Sequence, residues 1–535
     1  MKATCFALLL GSLAAVGCGH PSTSAVATPA PAPAPVSAAP SSSPRGTLSQ
    51  SSLTALAHLK GPLNVDFYVT TGLPGLDRYV HDLTVLLREY EAAAGGKLVL
   101  TVLESTGEGI GARAKKAGLE ELPFIEREAS SEPVVKGYLG LQFRYGTHTD
   151  VIPQLSPRNM FGMEFWITNK LREICDVAEG TKRRIGVIAQ KRELELDKPY
   201  LVSSEPAVTM QGVLQRAFPF YAIEKVDLRG GAARVDPQVL GLIVTQPQDD
   251  YTEEELRRID EFVMLGGKAV ALFVSAANVQ AHDSSMVATL GTHGLERLTS
   301  GYGIAMNQDV IFDPGCAWTL PVKTPDATTT VTFSAILRLS GTPDRAAPGD
   351  QLDTRFGSFA FMEGVIFPFA SSLTLMPQKQ PAAVRIRAVA HTTADAWTEA
   401  KGPVDLSPAA QRYPKGLIGE RTVAAVSEGQ LDSVFRGKSP VAPSRASGFS
   451  RVLVVSSGTF LVNPFVYLGD PDPARAPGSG DGDKVLQTVS RPYAQRNLTN
   501  SILVVKNTLD WMTNDPDLLE TMSKRLDEYG RGRSP

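Results

Sequence analysis

Four cysteines in 535 residues are too few for a disulfide framework, and no CxxC pair stands among them to mark a zinc site. Positive charge is not in excess either. The chain carries 53 Lys and Arg against 56 Asp and Glu, a formal net charge of -3, which argues against a nucleic-acid partner because phosphate contacts need concentrated cations. No stretch reaches 18 consecutive apolar residues, and a mean hydropathy of -0.06 excludes a polytopic membrane protein. A complete Walker A loop, GxxxxGK[ST], is missing, and so is any HExxH motif. What remains is an ordinary globular balance, long enough for two or three domains.

The N-terminus sets the compartment. Residues 1–18 read MKATCFALLLGSLAAVGC, with Lys2 as a positive start, Phe6 to Leu13 as a short apolar stretch and small residues before Cys18. That pattern is a secretory signal, too short to span a bilayer. Its end, Ala15-Val16-Gly17-Cys18, resembles a bacterial lipobox, which implies cleavage after residue 17 and lipidation of Cys18. Ala15 stands where Leu is commoner. Residues 21–44 are almost wholly Pro, Ala, Ser and Thr, an extended spacer that cannot bury enough surface to fold. Several acyl chains would hold the protein on a membrane without a spanning helix. Gly19 in place of an aspartate points to the outer membrane.

The body alternates strands and helices. LNVDFYV (63–69) is a strand, and apolar residues from Leu76 to Tyr90 form one helical face ended by Gly95-Gly96. Strands at 97–103 and 138–145 and helices at 108–118 and 165–178 complete a first α/β unit over residues 51–180. Strands at 184–189, 222–226, 239–245, 268–274 and 451–456 alternate with helices near 206–217 and 252–265 in a second unit, residues 181–465. Their unbroken Val/Ile/Leu character predicts a parallel sheet covered on both faces. Thr252-x-x-Glu255 reads as a capping box. A β-rich section is expected at about 320–400, and residues 466–535 form a loop, a closing helix at 499–512 and a tail.

Candidate chemistry is thin. Ser275, after the strand 268–274, is the nearest approach to a nucleophile elbow; it lacks the flanking glycines, and His282 and His293 lie downstream as bases. Cys316 sits in the turn Asp313-Pro314-Gly315-Cys316, whereas Cys175 falls on an apolar helix face as core cysteines do. A Cys175–Cys316 disulfide is disfavoured by the separation of the two units. His20, His58, His81, His148 and His391 are scattered, so no metal site is expected. Asp249-Asp250 precedes a helix start, where the macrodipole favours negative charge. Gly107-x-Gly109-x-Gly111 is too weak a pattern for a phosphate loop. No catalytic residue, cofactor or metal is therefore assigned, and lipidation at Cys18 is the one modification expected. The turn Gly72-Leu73-Pro74-Gly75 offers an apolar residue between breakers as a partner contact.

Eight strings together resemble the GldG family, auxiliary components of ABC-type transport systems linked to gliding motility. They are VDFYVTTGLPGLDRYVHDLTVLLREYEAAAGGKLVLTVLE (65–104), KKAGLEE (115–121), YLGLQFRYGTHTDVIP (138–153), TEEELRRIDEFVMLGGKAVALFV (252–274), LTSGYGIAMNQDVIFDP (298–314), VIFPFASSLTL (365–375), SRVLVVSSGTFLVNPF (450–465) and NSILVVKNTLDWMTNDPDLLETMSK (500–524). The resemblance implies a non-enzymatic body at the periplasmic face, working beside an ABC permease and an ATPase supplied by other chains. It implies that the second unit is flavodoxin-like, similar to glutamine amidotransferases, so the alternative is a hydrolase or amidotransferase-like enzyme in that unit's cleft. Family members commonly carry flanking membrane helices; this chain is expected to depart from that at both ends, with the lipobox in place of the N-terminal helix and a C-terminus that stops at GRGRSP. The permease partner points to the inner membrane and Gly19 to the outer, and the choice stays open.

Overall fold

LNVDFYVT places Leu63, Val65, Phe67 and Val69 on one face of a strand and fills them with large apolar groups, so that face must be covered. The computed structural model describes residues 47–71, 76–105, 108–124, 135–155, 160–202, 208–323, 328–342, 347, 349–408, 410, 413–414, 416–437, 443–472 and 482–530. Cys18, the spacer, Leu73 and Gly107 lie outside the described residues. The strand Leu63–Thr70 pairs in parallel with Leu98–Ser105 and antiparallel with Leu139–Tyr145, which in turn pairs with His148–Ile152. The helices Asp77–Ala93 and Met163–Glu179 cover the apolar face with Tyr79, Leu83, Leu87, Ile167 and Leu171. Gly95 and Gly96, at φ +57° and +87°, turn the chain out of the first of these helices as their sequence position suggests.

The second sheet divides its side chains between two cores. In Ala269–Phe273, Ala271 and Phe273 join one apolar cluster while Val270 and Leu272 join the other. Leu453 and Val455 against Val452 and Val454 in Ser450–Val455 repeat the division. Helices Met210–Ala217 and Thr499–Thr513 pack on the first face, and Glu253–Met264 and Leu295–Gly301 on the second. Five strands run parallel, in the spatial order Tyr221–Val226, Arg183–Ile188, Gly241–Val244, Ala269–Phe273, Ser450–Val455.

The sheet does not stop there, and it is not parallel throughout. Thr422–Gly429 joins Ser450–Val455 antiparallel, and Leu373–Leu375 and Ile304–Met306 extend the same edge antiparallel. A run buried on both faces reads alike in either direction, so apolar continuity alone could not reveal the reversal. The β-rich section is correspondingly wider than 320–400: its strands begin at Ala277 and end at Gly429, and part of it is built into the main sheet. The whole is a mixed α/β architecture with several sheets.

The C-terminal residues bind the two units together. Pro492 lies near the end of the helix Lys484–Tyr493 and has no N–H to donate; a single π turn, Ala494–Leu498, then leads into Thr499–Thr513. Beyond that helix the chain returns to the first unit, where Leu526 and Tyr529 complete the core. There the buried Glu164 carboxylate accepts from the Ser49 N–H (2.5 Å), the Ser52 hydroxyl (2.8 Å), the Lys524 ammonium (3.2 Å) and the Tyr529 hydroxyl. Both ends of the described body thus converge on one side chain. No helix among the described residues is long and apolar enough to cross a membrane.

Candidate functional site

Open α/β sheets bind ligands beyond the carboxyl ends of their parallel strands, where the strand order reverses. In this sheet the loops after Ile188 and Val244 flank that reversal, and the loops after Phe273 and Val455 leave the same end of the sheet. Ser275 follows the fourth parallel strand, as an elbow nucleophile would, but it is 1% exposed and its hydroxyl is committed. It donates to the Phe369 carbonyl (2.8 Å), accepts from the Ala277 N–H (3.0 Å) and lies 2.8 Å from the Ser371 hydroxyl. Its own N–H is held by Gln246 Oε1 at 2.7 Å.

Neither proposed base joins it. His293 Nδ1 faces Asp250 Oδ1 at 2.9 Å, and its Nε2 faces the Asn278 side-chain oxygen at 3.1 Å. His282 donates from Nδ1 to the Asp470 carbonyl at 2.9 Å, on another part of the rim. Gln246 Nε2 donates both to the Ser275 carbonyl (3.0 Å) and to Asn278 Oδ1 (2.6 Å), so two amide side chains occupy the space between serine and histidine. Nucleophilic catalysis needs the base on the nucleophile. The Ser275–His arrangement is not assembled.

The thiols are equally engaged. Cys316 Sγ donates to Asp313 Oδ2 at 3.1 Å; burial, reinforced by the Asp313 charge, pushes this thiol well above its ordinary range. Asp313 also accepts from the Gly315 N–H (2.8 Å) and the Thr393 N–H (2.8 Å), so it braces a turn. Cys175, against the first unit's core, is pushed up to about 12, first by burial and then by Glu179 and Asp176. Both cysteines are free. Thiolate chemistry needs a lowered pKa, and both groups move the other way.

The acidic pair ahead of the helix Glu253–Met264 has specific partners. Asp249 takes both donors of Arg192 (2.6 and 2.8 Å), and Asp250 faces His293. The capping box itself is present, with the Glu255 N–H donating to Thr252 Oγ1 at 3.3 Å and the Thr252 N–H donating to Glu255 at 2.8 Å. Gly109 and Gly111 lie inside the short helix Glu108–Lys116, not in a loop that could wrap a phosphate. No group of three or more His, Cys, Asp or Glu side chains among the described residues could hold a metal ion.

A larger cavity lies where sequence reasoning did not look. A groove of about 740 Å³ is lined by Asn307, Asp309, Ser372, Thr398, Glu399 and the loop carrying Leu417 and Arg421. Three exposed apolar side chains, Tyr413, Leu417 and Ile418, cluster on that loop, with Leu417 85% exposed. The signal was legible in principle: YPKGLIG sets apolar residues between breakers, the same pattern noticed at Leu73.

A family described as a domain of unknown function, DUF7088, matches residues 43–144. No curated protein matches the chain. The family described as "ABC-type uncharacterized transport system" matches residues 182–482, more than half of the chain and nearly all of the second unit. The chain belongs to that ABC-transport auxiliary family.

Proposed function

We propose that this protein is a non-enzymatic accessory subunit of a GldG-like ABC-type transport system, held at the periplasmic face of a membrane by acyl chains on Cys18. The body would divide into a GldG-type unit at 51–180 and an auxiliary unit at 181–465, with 466–535 as the closing segment. Five parallel strands in the order second, first, third, fourth, fifth support a flavodoxin-like layout for the auxiliary unit. ATP hydrolysis and the membrane pathway would be supplied by a partner ATPase and a partner permease.

The observation that carries the non-enzymatic reading is the committed rim. At the carboxyl ends of the parallel strands, the Ser275 hydroxyl is bonded to Phe369 and Ser371, and His293 is bonded to Asp250 and Asn278. Serine and histidine are each satisfied by other groups, and no hydrogen bond joins them. The purified body should turn over neither ATP nor ester and amide probes. Turnover abolished by Ser275→Ala or Cys316→Ala would establish the hydrolase or amidotransferase alternative instead. Labelling cells with a palmitate analogue tests the anchor: wild type should be tagged and Cys18→Ser untagged, and an untagged wild type removes the anchor from the account.

A further inference from the structure

Chain order reverses around the strand Arg183–Ile188, with Tyr221–Val226 on one side and Gly241–Val244 on the other. At such a reversal the first loop characteristically offers backbone N–H groups to an anionic part of a ligand. Here two N–H groups of that loop, from Gln190 and Lys191, converge on Glu193 Oε2 at 2.7 and 2.6 Å. The Tyr251 hydroxyl, from across the reversal, donates to Glu193 Oε1 at 2.7 Å. Three donors from two loops thus meet on one carboxylate, which is only 5% exposed. Arg192 takes the left-handed conformation, φ +50°, that folds the loop back over itself, an arrangement uncommon for a residue with a Cβ.

The two loops are then fastened across the crevice. The Leu194 N–H donates to the Gln246 carbonyl at 2.8 Å, and the Gln248 and Asp249 N–H groups donate to the Lys191 carbonyl at 3.0 and 3.3 Å. Arg192 and Asp249 add a two-pronged ion pair on the outside. A cavity of about 290 Å³ reaches this point from solvent, lined by Gln190, Arg192, Glu193, Gln211 and Lys225. Its volume admits a small oxyanion; its lining carries Arg192 and Lys225, each paired with a carboxylate (Asp249 and Glu195), together with the carboxylates of Glu195 and Glu224.

We propose that Glu193 is a built-in occupant of an anion-binding site at the strand-order reversal, its carboxylate standing where the carboxylate or phosphate of a ligand would otherwise sit. The site is complete in its donors and closed by the chain itself. A ligand of the transport system must then engage the protein elsewhere. Shortening Glu193 opens the site to small oxyanions.

The test is thermal melting of the purified body as wild type and as Glu193→Ala, titrated with sodium formate or inorganic phosphate against sodium chloride at matched ionic strength. Glu193→Ala should melt several degrees below wild type. Formate and phosphate should raise its melting temperature saturably, beyond chloride and beyond the general, non-saturating effect that the same salts have on wild type. Adding Tyr251→Phe to Glu193→Ala should weaken the formate response several-fold. If formate and phosphate act on Glu193→Ala no differently than on wild type, the proposal fails. Should Glu193→Ala not fold in plain buffer, refolding yield replaces melting: recovery in formate but not chloride supports the site, and recovery in neither overturns it. None of these outcomes depends on a transporter partner.

Discussion

Replacing Lys506 with methionine would remove one of the positive charges that join the two units. Lys506 projects from the helix Thr499–Thr513 with its side chain 10% exposed, 2.9 Å from Glu173 of the helix Met163–Glu179 and 2.5 Å from Asp510. Burial alone would raise the Glu173 carboxyl, but the ammonium groups of Lys170 and Lys506 outweigh it and hold it below the usual carboxylate range. Methionine fills much of the same volume but gives up the cation–π contacts with Trp166 and Phe218, over whose rings the ammonium lies. It leaves Glu173 with Lys170 at 2.8 Å and Asp510 with the Tyr221 hydroxyl at 2.6 Å. Breaking a buried ion pair by removing one partner costs about 3–5 kcal/mol, and the remaining donors place this case near the lower end, about 3 kcal/mol. With roughly 350 residues unfolding together, at about 2.1 cal/mol/K each, the melting temperature should fall by about 4 °C.

The pH dependence gives a sharper check on the same variant. A carboxylate held low in the folded state stabilises the protein above the unfolded pKa, and that contribution is lost as pH falls through the folded value. Lys506→Met weakens the depression at Glu173, so its deficit should be full at pH 7 and shrink as pH falls through the ordinary carboxylate range. Lys506→Met/Asp510→Asn, which removes the stranded carboxylate, should recover most of the loss. Urea unfolding at pH 7 and pH 4 measures both effects. A deficit below about 1 kcal/mol at pH 7, or one that grows on acidification, would refute the reasoning.

Other expectations follow from the same contacts. Removing residues 515–535 takes Leu526, Tyr529 and Lys524 from the first unit, so its amides should lose exchange protection while the second sheet keeps its own. Leu526→Ala alone should cost about 3 kcal/mol in urea unfolding, as buried leucine truncations do. Ser275→Ala should lower stability by about 1–3 kcal/mol, because the Ala277 N–H loses its acceptor inside the protein. Thr252→Ala should cost about 1 kcal/mol through the helix cap, with the folded spectrum unchanged.

Local chemistry was legible in the sequence and distant partnership was not. Thr252 and Glu255 announced a helix start three residues apart, and Gly95-Gly96 announced a helix end, because both signals act within one turn. The apolar stripe from Leu76 to Tyr90 gave the buried face of its helix by period alone. Lys506 and Asp510, by contrast, read as an ordinary surface pair four residues apart on one helix. Glu173, 333 positions before Lys506, and Tyr221, 289 positions before Asp510, make them interior. Glu193 was passed over for the same reason, since the tyrosine that completes its cradle is 58 residues on. Ser275 was singled out by its place after a strand, yet its fate is decided by Phe369 and Ser371, more than ninety residues away. The expectations at Cys18 and Leu73 fall outside the described residues.

Co-purification of the full chain from crosslinked, detergent-solubilised membranes of its own host tests the accessory role most directly. The account predicts that mass spectrometry of the crosslinked complex finds an ABC permease and an ATPase with a Walker A loop, both absent from a control lacking the tagged chain. Recovery of the chain without either subunit would contradict it.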